Sequence, residues 1–171
     1  MRHEIRFVLN GEEQILAVEP NLTLLECLRD RLHVTSPKRS CERGECGACT
    51  VIVNGKAVNS CLILAVTVAG KTVETVDGLG KSGLHPLQKQ FAELAASQCG
   101  YCTPGMIMAA KALLDANPDP TYEEVKEGLS GNMCRCTGYV KPVEAVLAAA
   151  KEIRKAASGR GKEDVAWITG K

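Results

Sequence analysis

Apolar and polar positions alternate from Glu4 to Leu9 and again from Gln14 to Val18, on either side of Asn10-Gly11. A period of two marks half-buried strands and Asn-Gly suits a two-residue turn, so the pattern predicts a β-hairpin. After Pro20 the period changes. Thr23-Leu24-Leu25-Glu26 has the form of a capping box, Leu22 and Cys27 hold the two staple positions, and Leu25, Leu28 and Leu32 recur at helical spacing. The stretch from Ser36 to Ala48 has little periodicity and reads as a loop. Thr50 to Val53, the turn pair Asn54-Gly55 and Ala57 to Ser60 predict a second hairpin, and Thr72 to Val76 one more short strand. The run Asp77-Gly78-Leu79-Gly80-Lys81-Ser82-Gly83 is a glycine-rich break, read as a domain boundary.

Beyond it the pattern is helical throughout. Pro86 opens a first helix with Leu87, Phe91 and Leu94 on one face, and Thr103-Pro104 reads as cap plus first position of a second, carrying Met106, Ile107, Ala110 and Leu114. Asn117-Pro118-Asp119-Pro120 ends it. Thr121-Tyr122-Glu123-Glu124 is another capping box, opening a helix through Val125 and Leu129 that stops near Gly131. Pro142 opens the fourth, with Val143, Val146, Leu147, Ala150 and Ile153 along it. Four short helices with short connections predict an antiparallel four-helix bundle. The fold class expected is α+β: a small sheet crossed by one helix over residues 1–79, an all-α bundle over 84–156, and a flexible, Gly-rich and charged tail over 157–171.

Composition narrows the function. Of 171 residues, 21 are Lys or Arg and 20 Asp or Glu, a net charge of +1 that gives no footprint for a nucleic-acid backbone. The longest apolar stretch, Cys61 to Ala69, falls short of the roughly 18 residues that cross a bilayer, and Met1 to Leu9 carries charges where a secretory signal would be apolar. A reducing, cytoplasmic location is expected. There the nine cysteines call for an explanation other than disulfides.

Cys41, Cys46, Cys49 and Cys61 are spaced C-x4-C-x2-C-x11-C, the pattern of a plant-type [2Fe-2S] site. Such a cluster with its four thiolates is an anion, so the loop must wrap it and turn N–H groups inward, and Gly44 and Gly47 make the wrapping sterically cheap. Zinc favours paired short spacings instead. Cys99, Cys102, Cys134 and Cys136 form a second quartet, C-x2-C-x31-C-x-C. In an up-down-up-down bundle the second and fourth helices begin at one end, and each cysteine pair immediately precedes one of them. Both pairs therefore reach the same end, where two helix N-termini favour an anionic centre. Spacing alone leaves zinc as a rival for this quartet. Cys27, left over, sits at the staple position as a small buried hydrophobe. His3, His33 and His85 show no ligand spacing and read as structural or exposed. No catalytic residue is evident in the chain.

The motifs Cys41-Glu-Arg-Gly-Glu-Cys46-Gly-Ala-Cys49, Gln98-Cys99-Gly-Tyr-Cys102-Thr-Pro-Gly105 and Gly131-Asn-Met-Cys134-Arg-Cys136-Thr-Gly138-Tyr139 resemble the small iron-sulfur subunit of the xanthine dehydrogenase family of molybdenum hydroxylases. The likeness runs from about Glu4 to Ala156. Ser40 and Pro37 depart from it where glycine is usual or common, and Val68 to Val76 resembles the hydroxybenzoyl-CoA reductase branch. The resemblance implies a β-grasp ferredoxin-like domain before the bundle, with one [2Fe-2S] cluster in each. It implies partners as well: a large molybdopterin subunit and an FAD-binding subunit, in a hetero-oligomer of the dimer-of-heterotrimers kind. The bundle cluster would lie nearest the pterin and the other nearest the flavin, and Gln98 and Cys136 would touch the pterin. The function implied is electron transfer in a hydroxylase or dehydrogenase complex whose chemistry lies on the partner. Two rivals are a free-standing ferredoxin-like carrier, which would be expected to show a strongly acidic docking face, and a zinc-stabilised interaction module. In the segment expected to be a tail, Val165 to Ile168 is a short apolar patch, and Trp167 is expected to anchor on a partner.

Overall fold

Strand β1 (His3–Leu9) pairs antiparallel with β2 (Glu12–Val18) across the Asn10-Gly11 turn, and β3 (Thr50–Val53) pairs with β4 (Lys56–Asn59) across Asn54-Gly55. In both turns the Asn and the Gly have positive φ, the backbone that closes a tight hairpin. The short strand β5 (Thr72–Glu74) joins the two hairpins, parallel to β1 and antiparallel to β3, so the sheet order is β2-β1-β5-β3-β4. A strand of three residues, two of them β-branched, thus forms the middle of the sheet. The computed structural model that shows this describes residues 2–80 and 83–159.

The inward residues of β1, namely Ile5, Phe7 and Leu9, follow the predicted alternation and bury one face of the sheet with Val18, Val51 and Val73. Helix α1 (Leu24–Glu26) covers that face. Its capping box is formed on both sides, Thr23 N–H and Oγ1 reaching Glu26 Oε2 at 2.9 and 2.8 Å and Glu26 N–H reaching Thr23 Oγ1 at 3.2 Å. The helix then widens into a π-turn over Cys27–Arg31, closed by the Leu32 N–H on the Cys27 carbonyl. Cys27 and Leu28 are both fully buried there, so Cys27 is indeed a core residue, and burial pushes its thiol up to about 11.

The glycine-rich break holds a helical turn, α2 (Val76–Leu79). Its entry is fixed from the first hairpin: Thr75 N–H donates to Asn10 Oδ1 at 2.8 Å, and Asn10 Nδ2 donates to Thr75 Oγ1 at 2.9 Å. Val76 and Leu79 pack against the core of the second half, so this connection is bound at both ends.

Four helices make that core: α3 (Pro86–Glu93), α4 (Thr103–Ala116), α5 (Tyr122–Leu129) and α6 (Val140–Gly159). Leu87, Phe91, Met106, Ala110, Val125, Leu129, Val143 and Val146 meet in it, and α3 packs on α6 and α4, and α5 on α4 and α6. Three details differ from the sequence reading. Helix α4 includes Thr103, so its N-cap is Cys102 and Pro104 is the second helical residue. Helix α6 begins at Val140, two residues before Pro142, which still lies in the first turn where its missing N–H costs nothing. That helix also continues through residues 157–159, past the boundary expected at 156; the rest of the expected tail, with Trp167 and its apolar patch, lies outside the described residues. Among the described residues no helix is long and apolar enough to cross a membrane.

His85, one of the three histidines with no assigned task, is buried as the N-cap of α3. Its Nδ1 accepts the Leu87 N–H at 3.2 Å, and Gln88 Oε1 accepts the His85 N–H at 3.0 Å. His3 and His33 are exposed.

Candidate metal centres

The first quartet lies where the long loop runs into β3 and where β4 runs into a short 3-10 turn over Ser60–Leu62. Cys49 and Cys61 are buried against Leu25, and Cys41 and Cys46 are half-exposed. The loop braces itself around them: Ser60 Oγ donates to the Cys49 carbonyl at 2.8 Å and Asn59 Nδ2 to the Gly44 carbonyl at 2.8 Å. Positive φ at Gly44 and Gly47 lets the loop fold back on itself. Its N–H groups point inward as an anion requires. The Arg43 N–H leads a set, with Cys46 and Glu45, that brings the Cys41 thiol down to about 7, and the Gly44 N–H reaches Cys61. Burial, followed by the neighbouring Cys49 thiol, pushes Cys61 up to about 11.

The second quartet gathers at the end where α4 and α6 begin. Cys99 and Cys136 are exposed and their sulfurs lie 3.6 Å apart, while Cys102 and Cys134 are half-buried against the helical core. Burial raises the Cys134 thiol, but the Oγ1 of Thr137 at 3.2 Å and its N–H at 3.4 Å, with the Cys136 N–H, outweigh it and bring the thiol down to about 7. Its neighbour Cys102 is pushed up to about 12 by burial and by Cys134. The Tyr139 hydroxyl accepts the Cys134 N–H at 2.7 Å and pins this loop from the far side. Gln98 is exposed beside Cys99.

Hydrogen-bond contacts join the sulfurs in twos, Cys41 with Cys46, Cys49 with Cys61, Cys99 with Cys136 and Cys102 with Cys134, and across these twos Cys41 acts on Cys61 and Cys99 on Cys102 through charge alone. No three of the described His, Cys, Asp or Glu side chains converge on one ion position. A tetrahedral zinc site would bring all four sulfurs to one point, each about 3.8 Å from the others for Zn–S bonds near 2.3 Å. A two-iron cluster asks for two thiolates at each of two irons, with bridging sulfide between them. The donor set is therefore suited to two dinuclear iron groups, and the inward N–H groups are suited to their negative charge. All nine cysteines are free thiols.

The sites are joined by residues to which the sequence reading gave no role. Asn132, only 4% exposed, reaches from the second loop to the first, and the Met133 N–H donates to the Cys46 carbonyl at 2.9 Å. Thr137 and Tyr139 act on Cys134 as described. A polar residue set between glycine and cysteine, as in Gly131-Asn132-Met133-Cys134, is the one local hint that Asn132 does more than cover a loop.

Known proteins with this arrangement are numerous. The model of the 2Fe-2S iron-sulfur cluster binding domain matches residues 7–72, and that of the [2Fe-2S] binding domain matches residues 75–147. The chain is 52% identical over 143 residues to the nicotinate dehydrogenase small FeS subunit of Eubacterium barkeri, covering 83% of this chain and 91% of that one. It is 49% identical over 152 residues to the nicotine 6-hydroxylase small subunit of Paenarthrobacter nicotinovorans, covering 89% and 92%. The crystal structure of quinoline 2-oxidoreductase from Pseudomonas putida 86 contains a chain that superposes with a TM-score of 0.86 at 41% identity, over 90% of this chain and 97% of that one.

Proposed function

Because the chain belongs to the small iron-sulfur subunits of the molybdenum hydroxylases, we propose that it passes electrons singly between a large molybdopterin subunit and an FAD-binding subunit. Electron transfer within an oxidoreductase complex is the role of this family, and the substrate chemistry lies on the partner. The observation that carries the reading is the sorting of eight cysteines into four thiol pairs, two in each half of the chain. The ligands are Cys41, Cys46, Cys49 and Cys61 for the first cluster and Cys99, Cys102, Cys134 and Cys136 for the second. Bound there, each [2Fe-2S] cluster supplies a one-electron couple.

The chain's own residues do the rest. Backbone N–H groups of Arg43, Glu45 and Cys46 at the first site, and the Thr137 hydroxyl and N–H at the second, offset thiolate charge without mobile counter-ions. Burial of Cys49 and Cys61 keeps water from the inner side of the first site. Gln98 and Cys136 face the pterin in this reading, supported by their exposure beside Cys99, and the first site faces the flavin. The finer architecture is a β-grasp domain over 1–79 and a four-helix bundle over 84–156, in a cytoplasmic dimer of heterotrimers. The names of the relatives at 52% and 49% identity favour an N-heteroaromatic substrate for the partner.

Elemental analysis of anaerobically purified protein, with EPR of the reduced form, tests the reading. About four irons per chain and two distinguishable [2Fe-2S] signals are expected. Stoichiometric zinc, or one signal after full reconstitution, overturns it.

A further inference from the structure

Three donors from the two halves of the chain converge on one carbonyl. Gly47 O accepts the Thr50 N–H at 3.1 Å, the Thr50 hydroxyl at 2.7 Å and the Asn132 Nδ2 at 2.9 Å. Asn132 Nδ2 lies 3.3 Å from Thr50 Oγ1 as well. The backbones approach so closely that side chains are excluded on both sides. A Cβ on Gly47 would stand 2.4 Å from the Gly131 carbonyl and 2.5 Å from Asn132 Nδ2, and one on Gly105, in the first turn of α4, 2.3 Å from Gly47 O. Beside this point the Met133 N–H holds the Cys46 carbonyl.

Resting on the reading that each quartet takes a cluster, we propose that Asn132, two residues before Cys134, is a positioning residue for the first cluster rather than for the second. Gly47 lies between Cys46 and Cys49. A trans peptide is planar with its C=O and N–H opposed, so the amide that locks the Gly47 carbonyl toward Asn132 also aims the Ala48 N–H away from it. The orientation of N–H groups in a cluster loop tunes reduction potential. A side chain of the helical half thereby sets the electronic environment of the site in the sheet half, and its burial leaves water no way to substitute for the lost donor.

The test is an EPR-monitored redox titration of the full-length, cluster-loaded chain in three forms: wild type, Asn132→Ala and the near-isosteric Asn132→Asp. Cys46→Ser identifies the first cluster by the signal it removes. The expected result is a shifted potential and altered line shape for the first signal in both Asn132 variants, with the second signal and the helical circular dichroism unchanged. Unchanged first signals overturn the inference. So does a change confined to the second signal, or joint loss of both signals with the helical dichroism, since either makes Asn132 a structural residue of its own loop. A wild-type chain without two cluster signals sinks the preceding reading, and this one with it.

Discussion

His85 is 7% exposed and caps α3 through a lone pair on Nδ1, which ties its proton to stability. Burial pushes it down to about 4, the nearby charge of Lys111 adds to this, and Asp115 opposes it. With the folded value below the ordinary 6.5, the unfolded chain binds more protons between those limits, so stability is full above pH 6.5 and is lost as pH falls toward 4. The slope at its steepest is about 1.4 kcal/mol per pH unit. Urea unfolding between pH 7 and pH 5 should show that slope in the wild type and a flatter one in His85→Asn, which keeps a capping side chain without the titration; equal slopes would place the acid sensitivity elsewhere. At this scale the sequence was legible where chemistry is carried by residue type and spacing. The eight cysteines are brought together in the two groups their spacing suggested, and Cys27 is buried as its staple position implied. His85 and Asn132 were not legible, because one becomes a buried cap and the other a bridge only through contacts that the fold makes.

Local signals wrote most of the elements. The Asn-Gly turns, the capping boxes at Thr23 and Thr121 and the apolar spacing of the helices all reappear, because each depends on neighbours within four residues. The π-turn after Glu26 and the helical turn at Val76 carry no such signature; the second depends on Asn10, 65 residues away. The short α1 depends heavily on its cap. The Thr23 N–H and hydroxyl hold the Glu26 carboxyl below its usual range, and the Leu24 N–H is bonded to the Ile63 carbonyl. Thr23→Ala should cost about 1 kcal/mol in denaturant unfolding, and a second change at Glu26 should add little because the two act as a pair. In the helical core Leu129 is fully buried between α4 and α6, and Leu129→Ala should cost about 2–5 kcal/mol by the same measurement. A cost below 1 kcal/mol would mean that the helices close over the space.

For the molecule as a whole, the glycine-rich link reads in the sequence as a domain boundary, yet the two halves are in extensive contact. Helix α4 packs on β3, Asn132 and Met133 are bonded into the first loop, and the Tyr101 hydroxyl donates to the Arg39 carbonyl. Thermal unfolding followed by helical dichroism and by cluster absorbance should therefore give coincident transitions, and two resolved steps would show that the junction is weak. The uneven exposure of the second quartet bears on how such a subunit is made. Two surface thiols 3.6 Å apart become a disulfide by closing about 1.5 Å and losing two protons and two electrons to dioxygen, whereas Cys102 and Cys134 are sheltered by the core. Metal-free protein taken out of a reducing environment would be closed at that outermost pair. Air-exposed, metal-free protein should then refuse the second cluster until a thiol reductant reopens Cys99 and Cys136, so outside a reducing environment the order of events, iron before oxygen, decides whether the subunit can be completed.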